Sequence, residues 1–199
     1  WQEGWFEAHS VFVYETFLYL VAALTKVGAF STLHEVLTTR YLKPGTQYYS
    51  RYDFETFECF SGSSGSLQDV LAPEGRRLFS PAAELLKRQA DHSDLTFEDL
   101  KQADIVAFLM AVITPEGTWY PQLQFYAGAY TEYPFFIRAA HRRWFRHLAV
   151  LTGVDTGDAL REAVAVGMKR LGVAGWHDFG NPGYSFPKAM NLENLDTLK

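Results

Sequence analysis

The sequence predicts an all-α fold, a bundle of six to seven helices that can carry a small β-hairpin insertion near residues 46–60. Apolar residues recur at helical spacing along most of the 199-residue chain, and they alternate with polar residues in few places. The stretch from Trp5 to Val27 is almost wholly apolar, as in a helix that several neighbours bury. Hydrophobic residues make up 48% of the chain, which is enough for a packed core.

The first two helices are placed by their caps. The first is predicted from about Glu3 to Val27, with Gly28 in the left-handed position that often follows a helix. Ser31 is the predicted N-cap of the second helix, which Lys43-Pro44-Gly45 ends. We expect the first helix to be the buried centre of the bundle, through these side chains: Phe12, Phe17, Leu20 and Leu24.

The middle of the chain alternates helices with breaks. The aromatic-rich stretch Tyr48–Phe60 is the place where two short strands fit. A helix is predicted over Pro81–Ala90, because proline is favoured at the first helical position. The next helix, Thr96–Ile113, opens with a capping box in which Asp99 is the acidic member. A weaker helical pattern covers Trp119–Tyr130.

Two further helices complete the bundle. A long helix is predicted over Tyr133–Leu151, and a final one runs from Asp155 or Thr156 to about Leu171. Residues 1–172 therefore form the predicted helical domain. Residues 173–199 are rich in glycine, proline and asparagine, and they are predicted to be an irregular tail packed on the surface.

Charge and composition narrow the classes of function. The formal net charge of −5 disfavours a general nucleic-acid binder, which needs a basic surface. The single cysteine, Cys59, excludes a disulfide framework and a cysteine zinc site within one chain. The best candidate for a membrane span, the apolar run Phe17–Leu24, is much shorter than the roughly 20 residues of a membrane-spanning helix. We expect a cytoplasmic protein with no membrane contact, no metal site and no cofactor.

Four segments, taken together, resemble a known kind of helical domain. They are the aromatic first helix, the stretch Leu33–Pro44 ending in Arg-Tyr-Leu-Lys-Pro, the stretch Thr96–Asp104, and Trp119-Tyr120-Pro121. The set resembles a helical C-terminal domain of bacterial multidomain proteins, some with an N-terminal TIR-like module and a defence role. The resemblance implies a sensor, regulatory or oligomerisation domain rather than an enzyme. Because the first residue is Trp1, we expect a fragment of a longer chain, whose N-terminal module would be a partner.

A row of basic residues lies on the predicted long helix. Arg138, Arg142 and Arg146 are spaced i, i+4, i+8, so they would share one face. Guanidinium groups in a row can bind phosphate or another anion. The alternative is a solvated helix face paired with acidic residues.

The same helix contains an arginine–histidine pair, Arg142 and His147. This spacing occurs in the HEPN family of helical ribonucleases, in which the two side chains would transfer a proton and stabilise a phosphate. On one helix, however, residues five apart are rotated by about 140° and do not share a face. We therefore expect a non-enzymatic accessory domain, acting in regulation, ligand sensing or self-association, with a HEPN-like ribonuclease as the alternative.

One acidic residue falls on an apolar helix face. Asp104 lies between Ala107 and Phe108 when the helix from Leu100 is plotted at its normal period. A buried carboxylate requires a cation or several hydrogen-bond donors. We expect a structural ion pair between Asp104 and an arginine of the basic helix, with Arg142 as the partner. The alternative is a ligand-binding or catalytic carboxylate.

Overall fold

The computed structural model describes residues 2–43, 53–62, 67–72, 77–90, 94–128, 130–173 and 184–199, and it confirms an all-α bundle with a small antiparallel sheet. The helices are α1 (Gln2–Val27), α2 (Phe30–Thr38), α3 (Leu67–Leu71), α4 (Pro81–Gln89), α5 (Phe97–Ile113), α6 (Pro134–Arg138), α7 (Arg142–Thr152), α8 (Gly157–Arg170) and α9 (Phe186–Ala189). Strands β1 (Tyr41–Lys43) and β2 (Asp53–Glu55) form the sheet, and short 3₁₀ helices cover Phe57–Phe60, Gln122–Tyr126 and Leu192–Asn194.

The buried centre of the bundle is α5. Every residue from Ala103 to Val112 is buried, and α1, α8 and the 3₁₀ helix Gln122–Tyr126 pack around it. The predicted capping box starts this helix: the Thr96 hydroxyl accepts from the Asp99 amide at 3.2 Å, and the Asp99 carboxylate accepts from the Thr96 amide at 2.9 Å. The prediction that the first helix is the buried centre is therefore wrong.

One side of α1 packs on the core, and the other side is open. Phe17 is buried, as predicted, and Leu24 is half-buried, but Phe12 is 67% exposed and Leu20 is 44% exposed. By length and composition alone, the segment His9–Val27 could cross a membrane. This segment is longer than the apolar run Phe17–Leu24 that the sequence analysis considered. The fold buries part of this segment in the core of the bundle, and the absence of membrane contact stays a prediction.

Helices α5 and α8 approach each other closely at a glycine. A Cβ atom on Gly167 would lie 1.8 Å from the carbonyl oxygen of Val112, so only glycine allows this distance between the two backbones. One turn later, Arg170 donates to the carbonyl oxygens of Ala111, Thr114 and Gly117 at 2.8–3.0 Å. This guanidinium satisfies acceptors that the end of α5 leaves without helical partners.

The second helix and the hairpin differ from their predicted positions. The N-cap of α2 is Ala29 rather than Ser31, and the helix ends at Thr38. Two adjacent β-branched threonines, poor helix formers, stand at this end. The chain then enters β1, in which Tyr41 pairs with Glu55 of β2. The hairpin exists, but its first strand precedes residues 46–60, and residues 44–52 lie outside the described chain.

The predicted long helix Tyr133–Leu151 is broken into α6 and α7. His141, between the two helices, has an extended conformation. The segment around Leu198 forms hydrogen bonds with the backbone on both sides of His141. Leu198 donates to the carbonyl of Ala140 at 2.9 Å and accepts from the amide of Arg142 at 2.9 Å. The distant segment therefore replaces the helical hydrogen bonds that the break removes.

The C-terminal region is part of the bundle. Phe186, Met190 and Leu195 are buried within the main hydrophobic core. The prediction of an irregular tail packed on the surface is therefore wrong for residues 184–199, while residues 174–183 lie outside the described ranges.

Candidate functional site

The three arginines of the predicted ridge do not form one stripe. Arg138 ends α6, and its guanidinium carbon lies 5.3 Å from the centre of the Trp144 ring. Arg142 and Arg146 lie beyond the break and line a separate cavity of about 370 Å³, together with other residues of α7 and with Asp155 and Asp196 from outside that helix. The continuous helix that the prediction required is interrupted at residues 139–141, so the i, i+4, i+8 geometry is wrong.

Asp104 is fully buried, as predicted, but its predicted pairing with Arg142 is wrong. Its two carboxylate oxygens accept from the Trp119 indole N–H at 2.8 Å and from the Leu123 backbone amide at 2.8 Å. Arg142 is instead 75% exposed, with its Nε 3.6 Å from a carboxylate oxygen of Asp196. The segment after α5 folds back over Asp104, and its neutral donors satisfy the carboxyl group without a cation.

Burial controls the ionisation of this carboxyl group. Removal from water raises the pKa of Asp104 from 3.8 to about 7, although hydrogen bonds from Trp119, Leu123 and Gln124 lower it in part. The side chain is therefore protonated in the folded protein at mildly acidic pH, when an exposed aspartate would be ionised.

A glutamine joins several elements beside Asp104. The Gln124 amide nitrogen donates to the carbonyl of Lys101 at 2.9 Å. Its oxygen accepts from the hydroxyls of Tyr133 at 2.6 Å and Tyr184 at 2.8 Å. Burial raises the pKa of both tyrosines, so they remain neutral donors. We call the following residues the buried polar cluster: Asp104, Trp119, Gln124, Tyr133 and Tyr184. Its hydrogen bonds hold the fold together.

Removing the hydroxyl of Tyr14 is expected to leave the free energy of unfolding unchanged or to raise it by about 1 kcal/mol. This hydroxyl is buried and has no hydrogen-bond partner among the described residues, while the ring stacks on Trp119 at 5.7 Å. Tyr14→Phe keeps the ring and removes the unsatisfied group. Tyr133→Phe is the matched control and should lose about 1 kcal/mol, because it breaks a bond to Gln124. Urea unfolding measures the free energy of unfolding of both variants. A clearly less stable Tyr14→Phe protein would show that the Tyr14 hydroxyl has a hydrogen-bond partner.

A cleft of about 720 Å³ opens beside the buried polar cluster. Its lining residues come from the end of α1, the first turns of α5, the segment 132–138 and α7: Thr25, Lys26, Val27, Gly28, Glu98, Asp99, Gln102, Glu132, Tyr133, Pro134, Phe135, Arg138 and Trp144. Tyr133 belongs to both the wall of the cleft and the cluster. The cleft has the size of a small-molecule site.

Some charges of the cleft are already paired. The Lys26 ammonium is 3.1 Å from a carboxylate oxygen of Asp99, and Lys101 is 2.6 Å from that of Glu98. Partial burial alone would raise the pKa of Asp99. The pKa nevertheless lies below its ordinary value, because Thr96 and Lys26 donate hydrogen bonds to the carboxylate.

The arginine–histidine pair of the ribonuclease alternative does not converge within the chain. The ring of His147 lies 5.0 Å from that of Phe30 and 4.8 Å from that of Trp144, whereas Arg142 is beside Asp196. The two side chains thus have different neighbours, and the ribonuclease alternative stays a prediction without a supporting contact.

Several residues of the cleft were missed by the sequence analysis, including Lys26, Glu132 and Tyr133. They come from separate elements, and no spacing along the chain connects them. Trp144 is half-buried and also lines the cleft. Within the described ranges, no three metal-ligating side chains come together.

Comparisons of the chain with protein-family models, curated proteins and solved structures found no match. The resemblance to helical C-terminal domains of bacterial multidomain proteins stays a prediction.

Proposed function

We propose that this chain is a non-enzymatic accessory domain of a cytoplasmic, multidomain bacterial protein, and that it self-associates through α1. The observation that supports the proposal is the open face of α1, which we define as Phe12, Val13, Thr16 and Leu20. These residues fall within an arc of about 100° on the helix. Exposed apolar patches on a folded protein commonly mark sites of association.

The open face suits a second copy of the same chain. Phe12 and Leu20 lie four residues before and after Thr16, so these two apolar side chains are placed symmetrically about Thr16. When two copies pack with α1 antiparallel, Phe12 of one copy meets Leu20 of the other, and the same contact is repeated by two-fold symmetry. The Thr16 hydroxyl donates to the carbonyl of Phe12 at 2.8 Å, so this small central residue brings no unsatisfied donor into the contact.

We expect the wild-type chain to sediment as a dimer, and the Leu20→Glu variant to sediment as a monomer. The reason is that the change places a carboxylate within the apolar contact, against Phe12 of the other copy, where desolvation costs several kcal/mol. Val166→Glu is the matched control, because Val166 is 65% exposed on α8, away from α1. Analytical ultracentrifugation measures the masses, and circular dichroism checks that each variant is folded.

Two results would reject self-association through this face. The first is a monomeric wild-type chain at about 100 μM, a concentration that detects even weak dimers. The second is an equal dimer fraction in Leu20→Glu and Val166→Glu. Flotation of the wild-type monomer with phospholipid vesicles would assign the open face to a membrane surface instead.

A further inference from the structure

We propose that the cleft binds a small zwitterion of the amino-acid class, which carries an ammonium and a carboxylate. The site is distinct from the open face of α1 and does not depend on self-association. Its walls come from four separate elements, and such junctions are common places for ligand sites.

Two opposite charges in the cleft are available to a ligand. Lys26 and Asp99 pair with each other, and Glu98 pairs with Lys101. Among the described residues, neither Glu132 nor Arg138 has an ion-pair partner. Glu132 lies just before α6, and Arg138 is the last residue of α6. A ligand carboxylate would pair with Arg138, and a ligand ammonium would pair with Glu132.

The guanidinium of Arg138 is held in place before any ligand binds. It lies over the Trp144 ring, whose indole N–H donates to the carbonyl of Phe135 at 3.2 Å. The amide of Phe135 in turn donates to the side-chain oxygen of Gln102 on α5 at 2.9 Å. A planar guanidinium fixed in this way can form two parallel bonds to a carboxylate with little loss of side-chain entropy.

The charge balance of the cleft selects between ligand classes. Once the pairs Lys26–Asp99 and Lys101–Glu98 are set aside, one carboxylate and one guanidinium line the cleft, so a dianionic phosphate bound to Arg138 would meet the like charge of Glu132. A simple cation would pair with Glu132 but leave Arg138 without an anion. A zwitterion satisfies both groups, and the aromatic rings of Tyr133, Phe135 and Trp144 favour an apolar or aromatic side chain on it.

Isothermal titration calorimetry with the twenty standard amino acids, each up to about 10 mM, tests the proposal on the folded chain. We expect at least one apolar or aromatic amino acid to bind at least about tenfold more tightly than its amide, its N-acetyl derivative or inorganic phosphate. The amide lacks the carboxylate, and the N-acetyl form lacks the ammonium. Lack of binding by all twenty, or equal affinity for the blocked forms, would overturn the proposal.

Two charge-neutralising variants assign the ends of the ligand. Arg138→Gln should remove the preference for the acid over the amide, and Glu132→Gln should remove the preference for the free amine over the N-acetyl form. Arg143→Gln and Glu162→Gln are controls, because both residues are exposed and neither lines the cleft. If the controls weaken binding as much as the cleft variants, the site lies elsewhere.

Discussion

Raising the pH from about 4 to about 8 is expected to reduce the contribution of Asp104 to the free energy of unfolding by about 4 kcal/mol. The reason is that the pKa of Asp104 is about 7 in the folded state, whereas the unperturbed value is 3.8. Below pH 4, the carboxyl group is protonated in both states. Between pH 4 and 7, the unfolded chain loses this proton while the folded chain keeps it, so unfolding becomes more favourable. Above pH 7, both states are ionised and the loss is complete.

The Asp104→Asn variant isolates this effect from all other titrating groups. Asparagine resembles the neutral acid in shape and does not ionise, so the difference in unfolding free energy between wild type and variant should follow the proton of Asp104 alone. Burial also raises the pKa of Glu15, but that group is the same in both proteins. Urea unfolding at several pH values gives the difference. A value that is constant from pH 4 to pH 8 would mean that the folded carboxyl group ionises normally.

Replacing Gly167 by alanine is expected to cost about 3 kcal/mol and to lower Tm by about 6–12 °C. The added Cβ would lie 1.8 Å from the Val112 carbonyl oxygen, and this part of α5 is packed on every side, so the backbones must separate. Alanine is otherwise the better helix former by about 1 kcal/mol, so a loss of stability can come only from the collision. Differential scanning calorimetry measures Tm.

Val166→Ala provides the control for this substitution. Val166 is the preceding residue of α8 and is 65% exposed, so the change should alter stability by no more than about 0.5 kcal/mol. A Gly167→Ala protein as stable as wild type would show that α5 and α8 do not make this close contact in solution.

Features determined by neighbouring residues were predicted correctly from the sequence. The Thr96–Asp99 capping box is present, Pro81 is the first residue of α4, and Gly28 has a positive φ after α1. Each of these depends on side chains and backbone within about one helical turn. The fold class and the burial of Asp104 also follow from local periodicity.

Features determined by distant segments were not predictable. The break between α6 and α7 is stabilised by Leu198, more than fifty residues away in sequence. One donor to Asp104 is a backbone amide, and every residue except proline has one. The sequence therefore gives no signal that a backbone amide, rather than a cationic side chain, satisfies the carboxyl group. Likewise, periodicity shows that α1 is apolar on most sides, but it cannot show which side its neighbours leave open.

The burial of α5 on every side from Ala103 to Val112 has a consequence for the motions of the protein. A helix with a solvent-facing side can open one hydrogen bond at a time, because water reaches its backbone directly. From Ala103 to Val112, α5 has no such side, so its amides can meet water only when a packed neighbour, such as α1, α8 or the 3₁₀ helix Gln122–Tyr126, moves away. Local fluctuation and global unfolding therefore become one event along this helix, and the bundle should open as a single cooperative unit around it.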